Sequence, residues 1–168
     1  MTVPQGLAQL FHYKRWANQE LLALGAASQG ALPADDYRLF VRILNHTYVV
    51  DRIFASHLQG LPQTTYQATN TDETPELAAL RDAVQVSDDW YVQYVGGLGD
   101  AQLAEPVAFR FTDGDTGRMS RSEILNHLVV HGSYHRGAAG RILAAHAVQP
   151  PRDSLTTFLH RLEPDRRW

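Results

Sequence analysis

The chain has 168 residues, 44% of them hydrophobic, a formal charge of −3 and a pI of about 6.2. This suits one domain, 1–168, with a full core, and the absence of any Lys/Arg block excludes the electrostatic footprint of a nucleic-acid binder or a membrane-surface protein. There is no cysteine, which excludes disulfides, thiolate metal ligands and a cysteine nucleophile, so any metal site must use nitrogen and oxygen.

The N-terminus, MTVPQGLAQLFHYKRW, lacks a long apolar core with a small-residue cleavage site, and no apolar run is long enough to span a bilayer, which predicts a cytoplasmic protein. A first helix is expected from Thr2 and Pro4 to Leu24, before Gly25, with Leu7, Leu10, Ala17, Leu21 and Leu24 as its buried stripe. Lys14 falls in that stripe and is expected to run its stem along the core with its ammonium in solvent. Asp35 and Asp36 cap a second helix that ends at Gly60 and Pro62. Along it Leu39, Ile43, His46, Val50, Ile53 and His57 alternate steps of four and three, the period of one helix face.

A polar stretch, QTTYQATNTDET, leads to Thr74-Pro75, read as an N-cap with proline at the first helical position. Leu77, Leu80, Val84, Tyr91 and Val95 carry a third helix to Gly96-Gly97. Asp88 lies close to its inner face. It is the nearest candidate for a fourth ligand or general base, although a solvated surface acid is the preferred reading. In VAFRFTDGDTGRMS, Val107, Phe109 and Phe111 alternate with polar residues up to Asp113-Gly114, a short β-hairpin signal. Ser120 and Glu123 have capping-box spacing and start a fourth helix. VQPPRD ends it, and Ser154 to Leu162 offers a short helix that packs outside the bundle through Leu155, Phe158, Leu159 and Leu162.

The fourth helix carries the chemistry. Ile124, Leu128, His131, His135, Ala138, Ile142 and Ala145 form a four-three stripe, and two histidines one turn apart can aim their rings at one point between helices. His127 and His135 are about 12 Å apart along the axis, too far to share an ion, so the pair is 127/131 or 131/135. The stripe centres near His131 and His135, with His127 roughly 50° aside, which favours the second pair. A lone histidine on an apolar face is usually a hydrogen-bonded core residue, but His46 on a facing seam supplies a third imidazole. Three imidazoles without thiolate suit Zn²⁺ or another borderline ion such as Ni²⁺, with a position left open for water or substrate. HExxH, Glu-x-x-His, Walker and GxSxG patterns are absent.

The segments YKRWANQELL, LNHTYVVDRIFASHLQG and LNHLVVHGSYHRG resemble the DinB/YfiT-like family of metalloenzyme-type four-helix bundles, which is unrelated to the DNA polymerase of the same name. The resemblance covers nearly the whole chain. It implies an all-α four-helix bundle in which one histidine of the second helix and two of the HxxxHRG segment bind a divalent metal: His46, His131 and His135. It also implies a possible homodimer and thiol-dependent S-transferase or isomerase chemistry with low-molecular-weight thiols. Two positions depart from the family pattern: Ala138 stands where glutamine is common after HRG, and Phe54 where tryptophan is common.

The long connections after the second and third helices permit a crossover topology like that of the family. The function expected is a divalent-metal-dependent enzyme, of S-transferase or hydrolase type, that activates a small thiol or water for attack on a small-molecule substrate. Arg136 and Lys14 are candidates for an anionic substrate group, with solvated surface charge the preferred reading of both. The alternative is non-catalytic: a metal that only ties helices together, or none, in a protein that acts through its surface.

Overall fold

The computed structural model describes residues 2–62 and 65–166. Four long helices, α1 (Val3–Ala27), α2 (Ala34–Leu58), α3 (Leu77–Gly96) and α5 (Arg121–Ala145), form a bundle. Between α3 and α5 lie a short helix α4 (Asp100–Ala104) and an antiparallel hairpin of β1 (Pro106–Arg110) and β2 (Thr116–Ser120), and α6 (Leu155–Leu162) follows α5. This is the all-α bundle with a hairpin before its fourth long helix that the periodicities imply.

Local sequence explains most boundaries. Thr2 and Gln5 close a capping box at the start of α1, and at the start of α5 the Glu123 carboxylate accepts from the Ser120 amide at 2.6 Å. Asp35 and Asp36 sit in the first turn of α2, where they favour the positive end of the helix dipole, but Pro33 holds the N-cap position without a side-chain bond. Gly60, at φ 68°, follows the end of α2 as expected of a C-terminal glycine.

Two boundaries differ from expectation. α1 runs past Gly25 to Ala27, because Gly25 serves a close approach: a Cβ there would lie 2.4 Å from Cε1 of Phe40. α3 begins at Leu77 with Glu76 as N-cap, so Thr74-Pro75 does not start it. The preceding residues are tied to α2 instead, with Asn45 donating to Asn70 and Thr71 and Arg42 donating to the carbonyls of Thr71 and Asp72. Gln63 and Thr64, at the start of the polar stretch, lie outside the described residues.

α1 packs chiefly on α3 and α2 chiefly on α5, with α1–α5 and α2–α3 contacts completing the ring. The consecutive helices α1 and α2 are therefore not principal partners, and the crossing is made by the short connection after α1 and by the hairpin-bearing one after α3. Two apolar clusters fill the interior. One, toward the hairpin, contains Phe11, Phe54, Tyr91, Val107, Phe109 and Leu128; the other contains Leu21, Phe40, Leu44, Leu80 and Leu143. α6 lies outside, with Phe158 against Tyr13 and Ala17 of α1.

The stripes are rotated from the expected phase. In α5 the buried positions include Leu125, Val129, Gly132, Arg136, Ala139 and Leu143, whereas Ala138 and Ala145 are exposed; in α2 Leu39 is exposed while Phe40, Leu44 and Asp51 are buried. The true faces lie about one residue round from the predicted seams. His46, His131 and His135 consequently sit at the half-buried margin between α2 and α5.

Candidate metal centre

α2 contributes His46 and α5 contributes His131 and His135, and one ligand atom from each lies within 4.8 Å of the other two. The centroids of the His131 and His135 rings are 4.5 Å apart, as one turn of helix dictates, and the His46 ring lies 5.0 and 4.6 Å from them. The Nε2 atoms of His46 and His131 are 3.1 Å apart. Two nitrogens on a tetrahedral ion with Zn–N bonds of about 2.0–2.1 Å would be about 3.3 Å apart, so His46 and His131 need little movement to share one.

Hydrogen bonding prepares these nitrogens. His46 Nδ1 donates to the Thr69 carbonyl at 2.7 Å, which places the ring proton on Nδ1 and leaves the Nε2 lone pair facing the other two rings. His131 Nδ1 is buried without a partner among the described residues, so Nε2 is the nitrogen through which that ring acts. Burial, followed by the neighbouring rings of His135, His46 and His127 and the charge of Lys14, lowers the His131 pKa to about 3; burial and His46 also lower that of His135. Both rings are therefore neutral at pH 7, the form that binds a metal. The donor set fits a borderline divalent ion.

The other histidines lie outside the group. His127 stacks on His131 at 5.3 Å between centroids and meets Phe54 edge-on at 5.6 Å; His57 rests on Phe109, and His12 lies beside Arg15. The rings brought together are 46, 131 and 135, with 127 as a neighbour of one of them. No carboxylate among the described residues joins the group.

Three expectations about charged residues are corrected. Lys14 is 1% exposed, with Nζ 2.5 Å from Asp51 and 2.8 Å from Asp88. Asp88 is buried, accepts from Asn18 at 2.8 Å, and is thereby occupied away from the histidines. Arg136 is also buried, donating to Asp153 at 2.7 Å, to Asn18 at 3.2 Å and to Ser133 at 3.1 Å, while the Tyr13 hydroxyl donates to Asp153. Asp51, Lys14, Asp88, Asn18, Arg136, Asp153 and Tyr13 thus form one hydrogen-bonded belt through the middle of the bundle. Lys14 and Arg136 are spent on it, not displayed to a substrate. The belt is possible because carboxylates from α2, α3 and the α5–α6 loop face cations from α1 and α5, and because Gly132 leaves room for Lys14 Cε and the Arg136 head.

Asp51 and Asn18 were not singled out from the sequence. Asp51 was findable, since it continues the Leu44 and Leu58 face of α2 at a seven-residue interval, where an acid without a partner is not tolerated.

The sequence pattern of the DinB family matches residues 1–166. The chain belongs to that family. It is also similar to "Protein DinB" of Bacillus subtilis (strain 168), with 24% identity over 170 residues that cover 92% of this chain and 95% of that protein. Membership in the DinB family and the convergence of three imidazoles agree on a site that could hold a divalent metal ion. Ala138 is exposed, and Phe54 is buried with its ring 5.6 Å from that of His127. Among the described residues no helix is long and apolar enough to cross a membrane.

Proposed function

We propose that this DinB-family protein is a metal-dependent enzyme in which His46, His131 and His135 hold Zn²⁺ or Ni²⁺ and a low-molecular-weight thiol or water attacks an electrophilic small molecule, in an S-transferase or hydrolase reaction. The observation that carries the reading is the convergence of three imidazoles with no carboxylate among the described residues to complete a closed shell. A divalent ion held by three protein ligands supplies Lewis acidity, lowering the pKa of a thiol or water so that it is a nucleophile at neutral pH. The chain's own part is preparation. Thr69 fixes the tautomer of His46, burial keeps His131 unprotonated, and the α5 backbone sets the spacing of its two rings. Half-burial at the margin between α2 and α5 leaves the group accessible to small molecules.

The test uses untagged protein loaded with Zn²⁺ or Ni²⁺, assayed for thiol conjugation and for ester and amide hydrolysis against its His131→Ala variant. Turnover is expected only with metal and the intact histidines. A broad panel without metal-dependent turnover would return the site to a non-catalytic role, tying α2 to α5.

A further inference from the structure

Between the hairpin and the C-terminal half of α2 lie two cavities that share His57 and Phe109, one of about 580 Å³ and a smaller one of about 60 Å³. The larger has the volume of a small-molecule site. The smaller is lined by Val50, Phe54, His57, Thr69, Phe109 and Phe111. Two of these residues link it to the histidine cluster. The Thr69 carbonyl is the acceptor for His46 Nδ1, and the Phe54 ring lies against His127, which stacks on His131. From the cluster outward the rings continue from Phe54 to Phe109 at 5.4 Å and from Phe109 to Phe111 at 5.0 Å. A row of ring contacts thus runs from His131 through His127, Phe54 and Phe109 to Phe111 at the surface, and its last three rings line the smaller cavity.

The hairpin is shaped to present that row. Phe109 pairs with Gly117 across the strands, and a Cβ at Gly117 would lie 2.5 Å from the Phe109 ring and 3.0 Å from that of Phe111. Any other residue at 117 would push both rings aside. Phe111 remains 47% exposed beyond the end of β1, an unusual place for a phenylalanine that only fills a core. At the rim Arg110 makes no ion pair among the described residues, and its Nη1 donates to the Gly114 carbonyl.

We infer that this cleft is the substrate subsite of the metal centre and takes an aromatic-bodied small molecule, its rings stacked on Phe109 and Phe111 and its reactive end directed past Phe54 toward the histidines. The inference rests on the metal-enzyme reading for what the bound molecule meets, and on the cleft alone for what binds. Edge-to-face and offset stacking on phenylalanines selects flat rings over aliphatic chains of the same size.

The experiment uses 2-naphthol as a neutral aromatic probe and cyclohexanol as an aliphatic control, titrated by NMR into the full protein, first as apo protein and then loaded with Co²⁺, whose visible spectrum reports its ligands. The expected result is that 2-naphthol perturbs the signals of Thr69, Phe109 and Phe111, that cyclohexanol binds roughly tenfold more weakly, and that Co²⁺ broadens the lines of bound naphthol. Thr112 is exposed and lines both cavities. Thr112→Trp should fill the cleft and weaken naphthol binding by about tenfold or more while leaving the Co²⁺ spectrum unchanged. Naphthol that binds elsewhere, or that binds Thr112→Trp equally well, overturns the cleft even if Co²⁺ binds normally. Naphthol seated in the cleft of a protein that takes up no Co²⁺ leaves a binding site but overturns its assignment to a metal centre.

Discussion

The bundle contains two polar clusters a few residues apart in α5 that solve opposite problems. In the belt around Lys14 every charge faces an opposite charge: one ammonium between two carboxylates, and one guanidinium on Asp153, with Lys14, Asp51, Asp88 and Arg136 buried and Asp153 at the exposed outer end. In the histidine group no carboxylate among the described residues takes part, and His46 and His131 turn nitrogens toward each other at the half-exposed margin of two helices. A polar cluster whose members satisfy one another has finished its chemistry within the fold; one whose lone pairs converge has not. The first reads as structure and the second as a ligand site.

The comparison predicts different responses to single deletions. Replacing His46, His131 or His135 with alanine is expected to abolish stoichiometric metal binding, measured by equilibrium dialysis and elemental analysis, while His127→Ala, His57→Ala and His12→Ala retain it. These changes should leave the fold nearly as stable as before in the absence of metal. Lys14→Met is the opposite case. It strands Asp51 and Asp88 without a cation in the interior, and a loss of about 3–5 kcal/mol in urea unfolding is expected. Replacing all three together with apolar residues of similar volume should recover most of that loss, because the penalty comes from the unpaired charge. A Lys14→Met protein as stable as the parent would show that the belt is not the closed ionic unit described.

What was legible in the sequence follows the same division. The four long helices, the hairpin and the Ser120–Glu123 capping box rest on local patterns of three to seven residues, and they stand in the expected segments apart from the shifted end of α1 and start of α3. The histidine group was also within reach, because His131 and His135 are one turn apart and His46 lies at a matching place on a facing helix. The belt was not. Lys14 meets acids 37 and 74 residues away, and Arg136 meets Asp153 and Asn18 at separations of 17 and 118 residues, so no acid within a helical turn of either cation marks it as paired. Read alone, a lysine or arginine is a surface residue. The rotation of the stripes has the same origin, since Asp51 and Arg136 are buried members of their faces yet carry the charges that a hydrophobic pattern assigns to solvent.

Acid titration of the metal-free protein should separate the two clusters by sign. Burial holds the Asp51 carboxyl up at about 6 against an ordinary value of 3.8, even though Lys14 draws it down. Between those values the folded state keeps a proton that the unfolded chain releases, so the Asp51 contribution to stability is full below pH 3.8 and falls as pH rises to about 6. His131 behaves conversely. Between about pH 3 and 6.5 the unfolded chain takes a proton that the folded ring refuses, so its contribution is full above pH 6.5 and is lost as pH falls. Urea unfolding across pH 4–6 should therefore show a steeper gain of stability with pH in Asp51→Asn and a shallower one in His131→Gln. Two slopes moving in the same direction would contradict the contrast.

The smallest effect is expected at Gly132, the residue between His131 and the belt. A Cβ there would lie 3.2 Å from Arg136 Nη1 and 3.6 Å from Lys14 Cε. Alanine in a helix interior gains about 1 kcal/mol over glycine by restricting the unfolded chain. Against this, the Arg136 head must yield by a few tenths of an ångström, and Asp153, Asn18 and Ser133 hold it from three sides. The two effects oppose each other, so Gly132→Ala should change stability by less than about 1 kcal/mol and leave metal stoichiometry unaltered. The residue then becomes a gauge of the belt's stiffness. A gain of the full propensity difference would mean that Arg136 moves freely and the belt is loosely held, whereas a net loss would mean that its hydrogen bonds are too rigid to absorb one methyl group.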